Sequence, residues 1–207
     1  MKKLILSAMA VCTFGLVSAQ DMNFGVKAGA NLSNLSGDVE DTKSLFGAHI
    51  GAFVEFKFTD NMAFQPELLY SMQGAKSESS YTLMGATVNE ESTLKLGYIN
   101  IPLMFKYYAT EALYIEAGPQ VGFLMSAKED WSASATFGGE TLSESGEDDV
   151  KDAFKSIDFG FNLGAGYNIT ENLSLGLRYN LGLSNIADSD DVKIKNGVFQ
   201  FAVAYKF

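Results

Sequence analysis

The stretch FGAHIGAFVEFKF at residues 46–58 alternates between apolar residues and residues that are mostly small or polar. One parity carries only apolar side chains: Phe46, Ala48, Ile50, Ala52, Val54, Phe56 and Phe58. The other parity carries Gly47, His49, Gly51, Phe53, Glu55 and Lys57. A period of two residues places these sets on opposite sides of a β-strand, whereas a helix would mix them. The stretch therefore predicts a strand with one apolar face.

The same alternation recurs along the chain and predicts eight strands, at approximately 24–32, 46–58, 62–73, 94–108, 113–125, 156–169, 173–184 and 197–207. Three short polar connections alternate with four longer ones. Short turns at one end and long loops at the other are typical of bacterial outer-membrane barrels. We therefore predict an all-β fold, an eight-stranded antiparallel up-and-down transmembrane β-barrel with short periplasmic turns and longer extracellular loops.

A soluble barrel of the lipocalin type is the main alternative, because it also alternates but turns its apolar residues inward. Side-chain size favours the membrane barrel. An eight-stranded barrel is only just wide enough for its inward side chains, whereas the apolar rows here are large and the polar rows are rich in Gly, Asn and Ser. We therefore expect the small and polar residues to face the lumen. A soluble β-sandwich is a further alternative.

The N-terminus has the pattern of a secretory signal peptide. Two lysines precede an apolar run over residues 4–17, which leads into the small-residue pattern Val17-Ser18-Ala19. We predict that 1–19 is a cleaved signal peptide and that 20–207 is the outer-membrane β-barrel domain. The alternatives are an uncleaved membrane helix, for which a run of roughly 14 residues is short, and a lipoprotein modified at Cys12.

Composition excludes several classes of function. Cleavage would remove the only cysteine and two lysines, which changes the formal net charge from −10 to −12. A chain without cysteine has no disulfide and no thiolate chemistry, and an acidic chain lacks the basic patch that binds nucleic acid. We therefore predict neither a cofactor nor a nucleic-acid partner.

Three prolines fall inside predicted strands: Pro66, Pro102 and Pro119. Proline has no N–H group for the hydrogen-bond ladder, and a closed barrel has no edge strand on which that loss matters little. We expect bulges or local breaks at these positions.

Several segments together resemble one family, the PorT-like outer-membrane β-barrel domain widespread in Bacteroidetes. The segments are FGVKAGANLSNLSG at 24–37, YINIPLMFKYY at 98–108, EAGPQVGFLMSAK at 116–128 and LGAGYNITENLSLGLRYNLGLSNI at 163–186. The resemblance covers the whole mature chain and implies that the prolines of the fourth and fifth strands are family features. It implies no reaction and carries over no catalytic residue.

The inward rows carry five basic and four acidic residues: Lys27, Glu55, Lys57, Glu67, Lys106, Glu116, Asp158, Arg178 and Lys206. Charges in a narrow lumen are costly unless they are paired. We therefore expect an ion-pair network that fills the barrel. A conduction path is the alternative for these charges, and a catalytic pair of Glu67 and Glu116 is a weaker one.

His49 is the only histidine and is predicted to point into the lumen near the first loop, which contains Ser33 and Ser36. A lipid-modifying barrel enzyme could use a Ser–His pair. Such a site also needs an orienting acid and access to lipid, and the alternation turns His49 away from the lipid. We therefore expect a polar lumen residue, and we do not expect an enzyme.

The four predicted loops, 33–45, 74–92, 126–154 and 184–196, hold 17 of the 25 acidic residues. An acidic solvated surface is the ordinary meaning of such runs. Asp188, Asp190 and Asp191 could also supply oxygen ligands for Ca²⁺, although their spacing is not that of a known calcium loop.

These observations predict a monomeric outer-membrane barrel with a structural or surface-interaction role through its acidic loops. The expected partners are outer-membrane lipid, the barrel-assembly machinery and an extracellular protein or glycan. Tyr205 and Phe207 have the aromatic C-terminal pattern that assembly machinery recognises in barrel substrates. The second candidate is a narrow pore or a component of an envelope secretion or assembly system, and the third is a lipid-modifying enzyme.

Overall fold

The computed structural model describes residues 22–39, 42–83, 85–189 and 191–207. Within them lie nine β-strands: β1 Met22–Gly37, β2 Thr42–Thr59, β3 Met62–Leu83, β4 Ala86–Tyr108, β5 Leu113–Phe137, β6 Glu140–Asp149, β7 Ile157–Asn168, β8 Leu173–Gly182 and β9 Ile194–Lys206. A 3-10 turn at Lys151–Ala153 precedes β7. Among these residues, no helix is long and apolar enough to cross a membrane.

Eight of these strands form a closed ring in which every pairing is antiparallel. The order is β4-β3-β2-β1-β9-β8-β7-β5, and a further ladder between β4 and β5 closes it. The ninth strand, β6, pairs with β5 outside the ring. The structure thus confirms the antiparallel up-and-down fold and adds one strand to it.

The strand bounds predicted for the third to fifth strands were wrong at one end. We predicted 62–73, 94–108 and 113–125, whereas β3, β4 and β5 contain 22, 23 and 25 residues. The predicted loops 74–92 and 126–154 are therefore mostly two hairpins, β3–β4 and β5–β6. These extensions alternate Ser, Thr and Glu with a few apolar residues, so backbone pairing maintains them with little of the hydropathy contrast that identified the other strands.

The prolines interrupt ladders without shifting their register. The β2–β3 ladder skips the position of Pro66, the β3–β4 ladder skips that of Pro102 and the β4–β5 ladder skips that of Pro119, and each resumes in the same register. The expected local breaks are therefore present, because proline cannot donate to the ladder. The register shifts lie elsewhere, at residues 44–49 and 57–59 of β2 and beside Gly97 of β4.

The two ends of the ring differ in the length of their connections. At one, which we name the turn end, residues 60–61, 109–112 and 169–172 make tight connections. Thr110 and Thr170 accept hydrogen bonds from the backbone N–H groups of Leu113 and Leu173 at 2.9 and 3.0 Å. The other, the loop end, carries the long hairpins.

The outer surface of the ring is a belt of exposed apolar side chains, which includes Val26, Ile50, Leu68, Phe105, Ile115, Phe161, Leu163, Leu177 and Phe201. Glycines on the inward rows make room for inward aromatic rings. A Cβ on Gly25 would lie 2.2 Å from the Phe53 ring, and one on Gly166 would lie 2.2 Å from the Tyr114 ring. The small residues therefore face the lumen and the large apolar residues face outward.

Candidate functional site: lumen, cap and outer sheet

Four charged side chains meet in the middle of the lumen, and we name them the central cluster. Arg178 donates to both carboxylate oxygens of Glu67, at 2.8 and 2.9 Å, and its Nε donates to Glu116 at 2.8 Å. The Lys27 ammonium donates to Glu67 at 2.7 Å. All four are buried. Two acids and two bases balance, which is the arrangement that makes buried charge tolerable.

A second group, the turn-end cluster, surrounds Glu55. The Tyr108 hydroxyl donates to Glu55 at 2.6 Å, and the ammonium groups of Lys106 and Lys206 lie 3.4 and 3.7 Å from its carboxylate. Lys57 lies over the Tyr108 ring, 5.3 Å from its centroid. Tyr108 was not among the predicted residues, although it belongs to the same inward row as Lys106.

Asp158 stands apart from both clusters. Its carboxylate accepts hydrogen bonds from Ser184 at 2.6 Å and from Asn196 at 2.8 Å. In the described part of the chain, no salt bridge includes it. The structure therefore brings eight of the nine predicted charges into two clusters and places the ninth among neutral donors near the loop end.

Amide side chains occupy the remaining lumen. Asn180 donates to Asn162 at 3.0 Å, and Asn162 donates to Gln120 at 3.2 Å. A cavity beside the central cluster has a volume of about 10 Å³, which is room for about one water molecule. Charges, amides and inward aromatic rings together fill the interior.

His49 is held inside the lumen by an amide. Its Nδ1 lies 2.7 Å from the Oδ1 of Asn31. The Ser33 hydroxyl instead donates to backbone carbonyls, that of Gly74 at 2.9 Å and that of Leu45 at 3.2 Å. The Ser36 hydroxyl contacts the Lys195 carbonyl. The two serines and His49 therefore do not form the pair that a lipid-modifying enzyme would use. Asn31 was not among the predicted residues, although it shares the inward parity of Lys27.

A cluster of apolar side chains is packed together at the loop end of the lumen, and we name it the cap. Its buried members are Leu35, Ala75, Leu96, Tyr98, Leu124, Ala127 and Ile186. Val39, Leu94, Val150, Phe154 and Ile194 pack against it. The segment before β7 and the β8–β9 connection are joined by the backbone N–H of Lys155, which donates to the Ile186 carbonyl at 2.8 Å. The cap was not predicted, because Val39, Val150, Phe154 and Ile186 reach it from irregular segments with no periodicity.

Beyond the cap, the outer sheet projects from the ring. It consists of residues 76–83 of β3, 86–95 of β4 and 128–137 of β5, together with β6. Three lysines on one of its faces pair with acids: Lys43 of the adjoining β2 with Glu78, Lys95 with Asp130, and Lys128 with Glu147. The hydrogen bond from Lys128 to Glu147 raises the pKa of that ammonium group.

The calcium candidates lie in the β8–β9 connection. The backbone N–H of Asp188 donates to the Ala153 carbonyl at 3.0 Å, and the backbone N–H of Asp191 contacts the Ser189 hydroxyl. Asp190 lies outside the described residues, as does the predicted signal peptide 1–19. Among the residues that are described, no three His, Cys, Asp or Glu side chains come together as a metal site.

The C-terminal aromatics lie on the outer surface at the turn end. Tyr205 and Phe207 are both exposed, and their rings meet edge to face at 5.6 Å. The backbone N–H of Phe207 donates to the Phe24 carbonyl at 2.9 Å. The last residue is thus tied to the first strand, beside the seam between β1 and β9.

Comparison with known proteins gives one family match. The model of the family described as outer membrane protein beta-barrel domain matches residues 18–188. Neisserial surface protein A (NspA) is similar in structure, with a TM-score of 0.50 and 18% identity over 91% of this chain and 100% of that chain.

Two further solved structures are less similar. Ail, the attachment invasion locus protein of Yersinia pestis, gives a TM-score of 0.47 and 12% identity over 91% of this chain and 100% of that chain. OprG from Pseudomonas aeruginosa gives a TM-score of 0.39 and 14% identity over 89% of this chain and 95% of that chain. At these identities the likeness concerns the fold. None of the curated protein sequences matches significantly.

Proposed function

The chain belongs to the outer membrane protein β-barrel domain family, and from that premise we propose that it is a sealed surface barrel whose acidic loop end binds an extracellular partner. Its location is the outer membrane. The belt then faces lipid. By the general layout of such barrels, the turn end faces the periplasm and the loop end faces outward.

Strand length supports a large projection beyond the membrane. A strand rises about 3.3 Å per residue, so about 10 tilted residues cross an apolar band about 25 Å tall. β5 contains 25 residues. About half of it therefore extends past the band, together with the hairpins that pair with it. This half carries the acidic outer sheet.

The cap is the observation that carries the sealed-barrel proposal. A conduction path needs a continuous line of water, and the cap places buried apolar side chains such as Leu96 and Ile186 across the loop end. The paired charges of the central and turn-end clusters support a filling role for the lumen below it. A narrow pore is less well supported for this reason.

The acids support the binding part of the proposal. β6 alone, ETLSESGEDD, carries five acidic residues and no basic residue, and all but one of its ten residues are exposed. A surface with such an excess attracts positively charged partners at long range. The partner class that fits best is a basic protein surface.

One experiment in two parts tests the proposal. The protein is folded into nanodiscs of phosphatidylcholine, a lipid with no net charge, and titrated with fluorescein-labelled polylysine. A matched variant has a two-residue turn in place of 78–91 and another in place of 130–147. We expect binding by the intact protein that weakens with salt, and little binding by the shortened variant. Polyglutamate is the control ligand. Equal binding by both proteins, or no binding, contradicts the partner assignment.

The second part is a planar-bilayer recording of the same protein. We expect no steady current, because the cap closes the lumen. A steady current from heat-modifiable, purified protein contradicts the seal and favours the pore.

A second candidate follows from the PorT-like resemblance, which is the finer family assignment that we infer. It rests on the segments quoted above, of which YINIPLMFKYY lies on β4 and LGAGYNITENLSLGLRYNLGLSNI runs through β7 and β8. A component of an envelope secretion or assembly system would use the turn end as well as the loop end. Deleting the gene and measuring secreted protein tests it, and an unchanged secreted fraction contradicts it.

A further inference from the structure

The outer sheet has two faces of different chemistry. The ladder register assigns alternate residues to each face. The lumen-side face continues the inward rows of β3 and β4. It contains Ser77, Ser79, Tyr81 and Leu83, then Ala86, Val88, Glu90, Ser92 and Leu94, then Glu129, Trp131, Ala133, Ala135 and Phe137, and finally Glu140, Leu142, Glu144, Gly146 and Asp148. The belt-side face continues the outward rows.

Hydrogen bonds between side chains agree with this assignment. On the lumen-side face, the Tyr81 hydroxyl donates to Glu90 at 2.9 Å and the Trp131 indole donates to Asp148 at 2.8 Å. On the belt-side face, Ser80 donates to Asn89 at 2.7 Å. None of the side-chain hydrogen bonds within the described outer sheet joins residues of opposite faces, as expected for side chains that leave the sheet in opposite directions.

The lumen-side face is apolar at its far end. Tyr81, Leu83, Phe137 and Leu142 are exposed by 44, 56, 65 and 80%. At the same level the belt-side face carries hydroxyl and amide side chains: Ser80, Thr82, Thr87, Asn89, Ser134, Thr136, Thr141 and Ser143. Exposed apolar clusters on one side of a water-facing sheet mark interaction surfaces.

The charge on this face has one sign. Its charged residues are Glu90, Glu129, Glu140, Glu144 and Asp148, and the described residues of the face include no lysine or arginine. Glu90, Glu129 and Asp148 accept hydrogen bonds from neutral groups. The sheet's lysines lie on the opposite face, where Lys95 pairs with Asp130 and Lys128 pairs with Glu147. The negative charge of the lumen-side face is therefore not neutralised within the sheet.

β6 also has an open edge. One side of it pairs with β5 throughout, and in the described structure no strand pairs with the other side. An open edge can accept an extended chain through backbone hydrogen bonds. The row nearest this edge on the lumen-side face reads Glu140, Leu142, Glu144. An added strand places its own alternate side chains directly opposite that row.

We propose that the edge and lumen-side face of β6 bind an extended protein segment that carries basic, apolar and basic residues at alternate positions. The proposal rests on the proposed function and specifies its partner. The basic residues pair with Glu140 and Glu144, and the apolar residue packs on Leu142 beside Phe137. A second copy of β6 would place acids opposite acids, which is unfavourable. The phosphates of outer-leaflet lipid carry the same sign of charge as this face and are repelled too.

Trp131 provides the readout. It is the only tryptophan of the chain, it lies on the lumen-side face, and it pairs with Gly146 of β6. The protein in phosphatidylcholine nanodiscs is titrated with a tryptophan-free peptide that contains Lys-Thr-Leu-Thr-Lys. Two control peptides contain Glu-Thr-Leu-Thr-Glu and Lys-Thr-Ser-Thr-Lys. We expect a saturable change in fluorescence with the first peptide and about tenfold weaker binding of each control.

Variants of β6 locate the site. Leu142→Ser, and separately the double change Glu140→Gln and Glu144→Gln, are expected to weaken binding about tenfold. The matched control on the belt-side face, Thr141→Ala with Ser143→Ala, is expected to bind as the parent does. Equal losses in the control, equal binding of the leucine and serine peptides, or no binding of the first peptide overturn the inference.

Two further outcomes separate this inference from the proposed function. If polylysine binds the intact protein but the Lys-Thr-Leu-Thr-Lys peptide does not, the inference fails and the proposed function stands. If neither binds, both fail. A dimer in sedimentation that Leu142→Ser abolishes assigns the face to a second copy, and a fluorescence change with anionic vesicles alone assigns it to lipid. Either result overturns the inference.

Discussion

The belt-level part of the barrel and the cap are built on the same strands with opposite interiors. Along β4, the inward row reads Leu94, Leu96 and Tyr98 in the cap and Asn100 and Lys106 below it. The outward row changes the other way, from Lys95 at the outer sheet to Phe105 in the belt. Where lipid surrounds the strand the interior is polar, and where water surrounds it the interior is apolar. The surrounding medium, rather than the strand itself, therefore decides which face is apolar.

The largest expected effect comes from breaking a lumen ion pair. Arg178→Met leaves the buried carboxylates of Glu67 and Glu116 without their main partner, and such a loss costs about 3–5 kcal/mol. The exposed pair of Lys43 and Glu78 is the matched control, because Lys43→Met should cost at most about 1 kcal/mol. Urea unfolding of both variants in vesicles measures the difference. Similar losses of unfolding free energy in the two variants would contradict a stabilising ion pair that is buried in the lumen.

Truncation of a leucine should lower the free energy of unfolding more in the cap than on the belt. Leu96→Ala opens a cavity among buried side chains and should lower the free energy of unfolding by about 2–5 kcal/mol. Leu177→Ala faces lipid, whose tails fill the space, so its cost should be smaller. The same unfolding assay compares them. A larger loss for Leu177 would mean that the cap is not a packed core.

Replacement of an exposed leucine by arginine should show whether that position is surrounded by lipid or by water. Leu163 lies in the middle of β7 on the belt, and Leu142 lies on the outer sheet. Leu163→Arg should destabilise the barrel by about 2–4 kcal/mol, which is typical of arginine at the bilayer midplane. Leu142→Arg should leave stability nearly unchanged. Equal losses of stability in the two variants would contradict a belt that faces lipid and an outer sheet that faces water.

Deletion of Phe207 should lower the amount of assembled barrel in the outer membrane. The residue directly follows β9, and its backbone N–H is bonded to Phe24 of β1 at the seam. Its aromatic ring has the pattern predicted for recognition by assembly machinery. Phe207→Tyr, which keeps an aromatic end, is the control. Quantitative immunoblots of outer membranes measure the effect, and unchanged levels after deletion would refute the assembly role.

The smallest expected effect is that of His49→Ala on membrane lipids. His49 is buried in the lumen, where its Nδ1 is hydrogen-bonded to Asn31. The Ser33 hydroxyl donates to the Gly74 carbonyl instead. We expect an identical lipid acylation profile in the variant and the parent by mass spectrometry. A changed profile would support the lipid-modifying alternative.

The belt and lumen were predictable because hydropathy alternates there. Phe46 to Phe58 defines one strand, and the same parity places Lys27, Glu67, Glu116 and Arg178 inside the ring. Pairing across the ring could not be read from one sequence, so the separation of Asp158 from the two charged clusters came only from the structure.

The outer sheet and the cap were harder to predict, for two physical reasons. β6 reads ETLSESGEDD, in which Leu142 is the only large apolar side chain, so little hydropathy contrast marks it as a strand. Ile186 and Phe154 reach the cap from irregular segments, whose positions depend on contacts far away in sequence. The acidic excess of the predicted loops was visible in composition, but its distribution over one face needed the ladder register.

Single-cysteine labelling in intact cells distinguishes a sealed barrel from an open one, because the only native cysteine, Cys12, lies in the predicted signal peptide. Three variants are compared with a membrane-impermeant maleimide: Leu142→Cys on the outer sheet, Leu163→Cys on the belt and Asn162→Cys in the lumen. Heat-modifiable migration first establishes that each variant is folded. We expect rapid labelling at 142 and protection at 162 and 163. Labelling at 162, or protection at 142, would contradict a barrel that is sealed by its cap and exposes its acidic sheet to the outside.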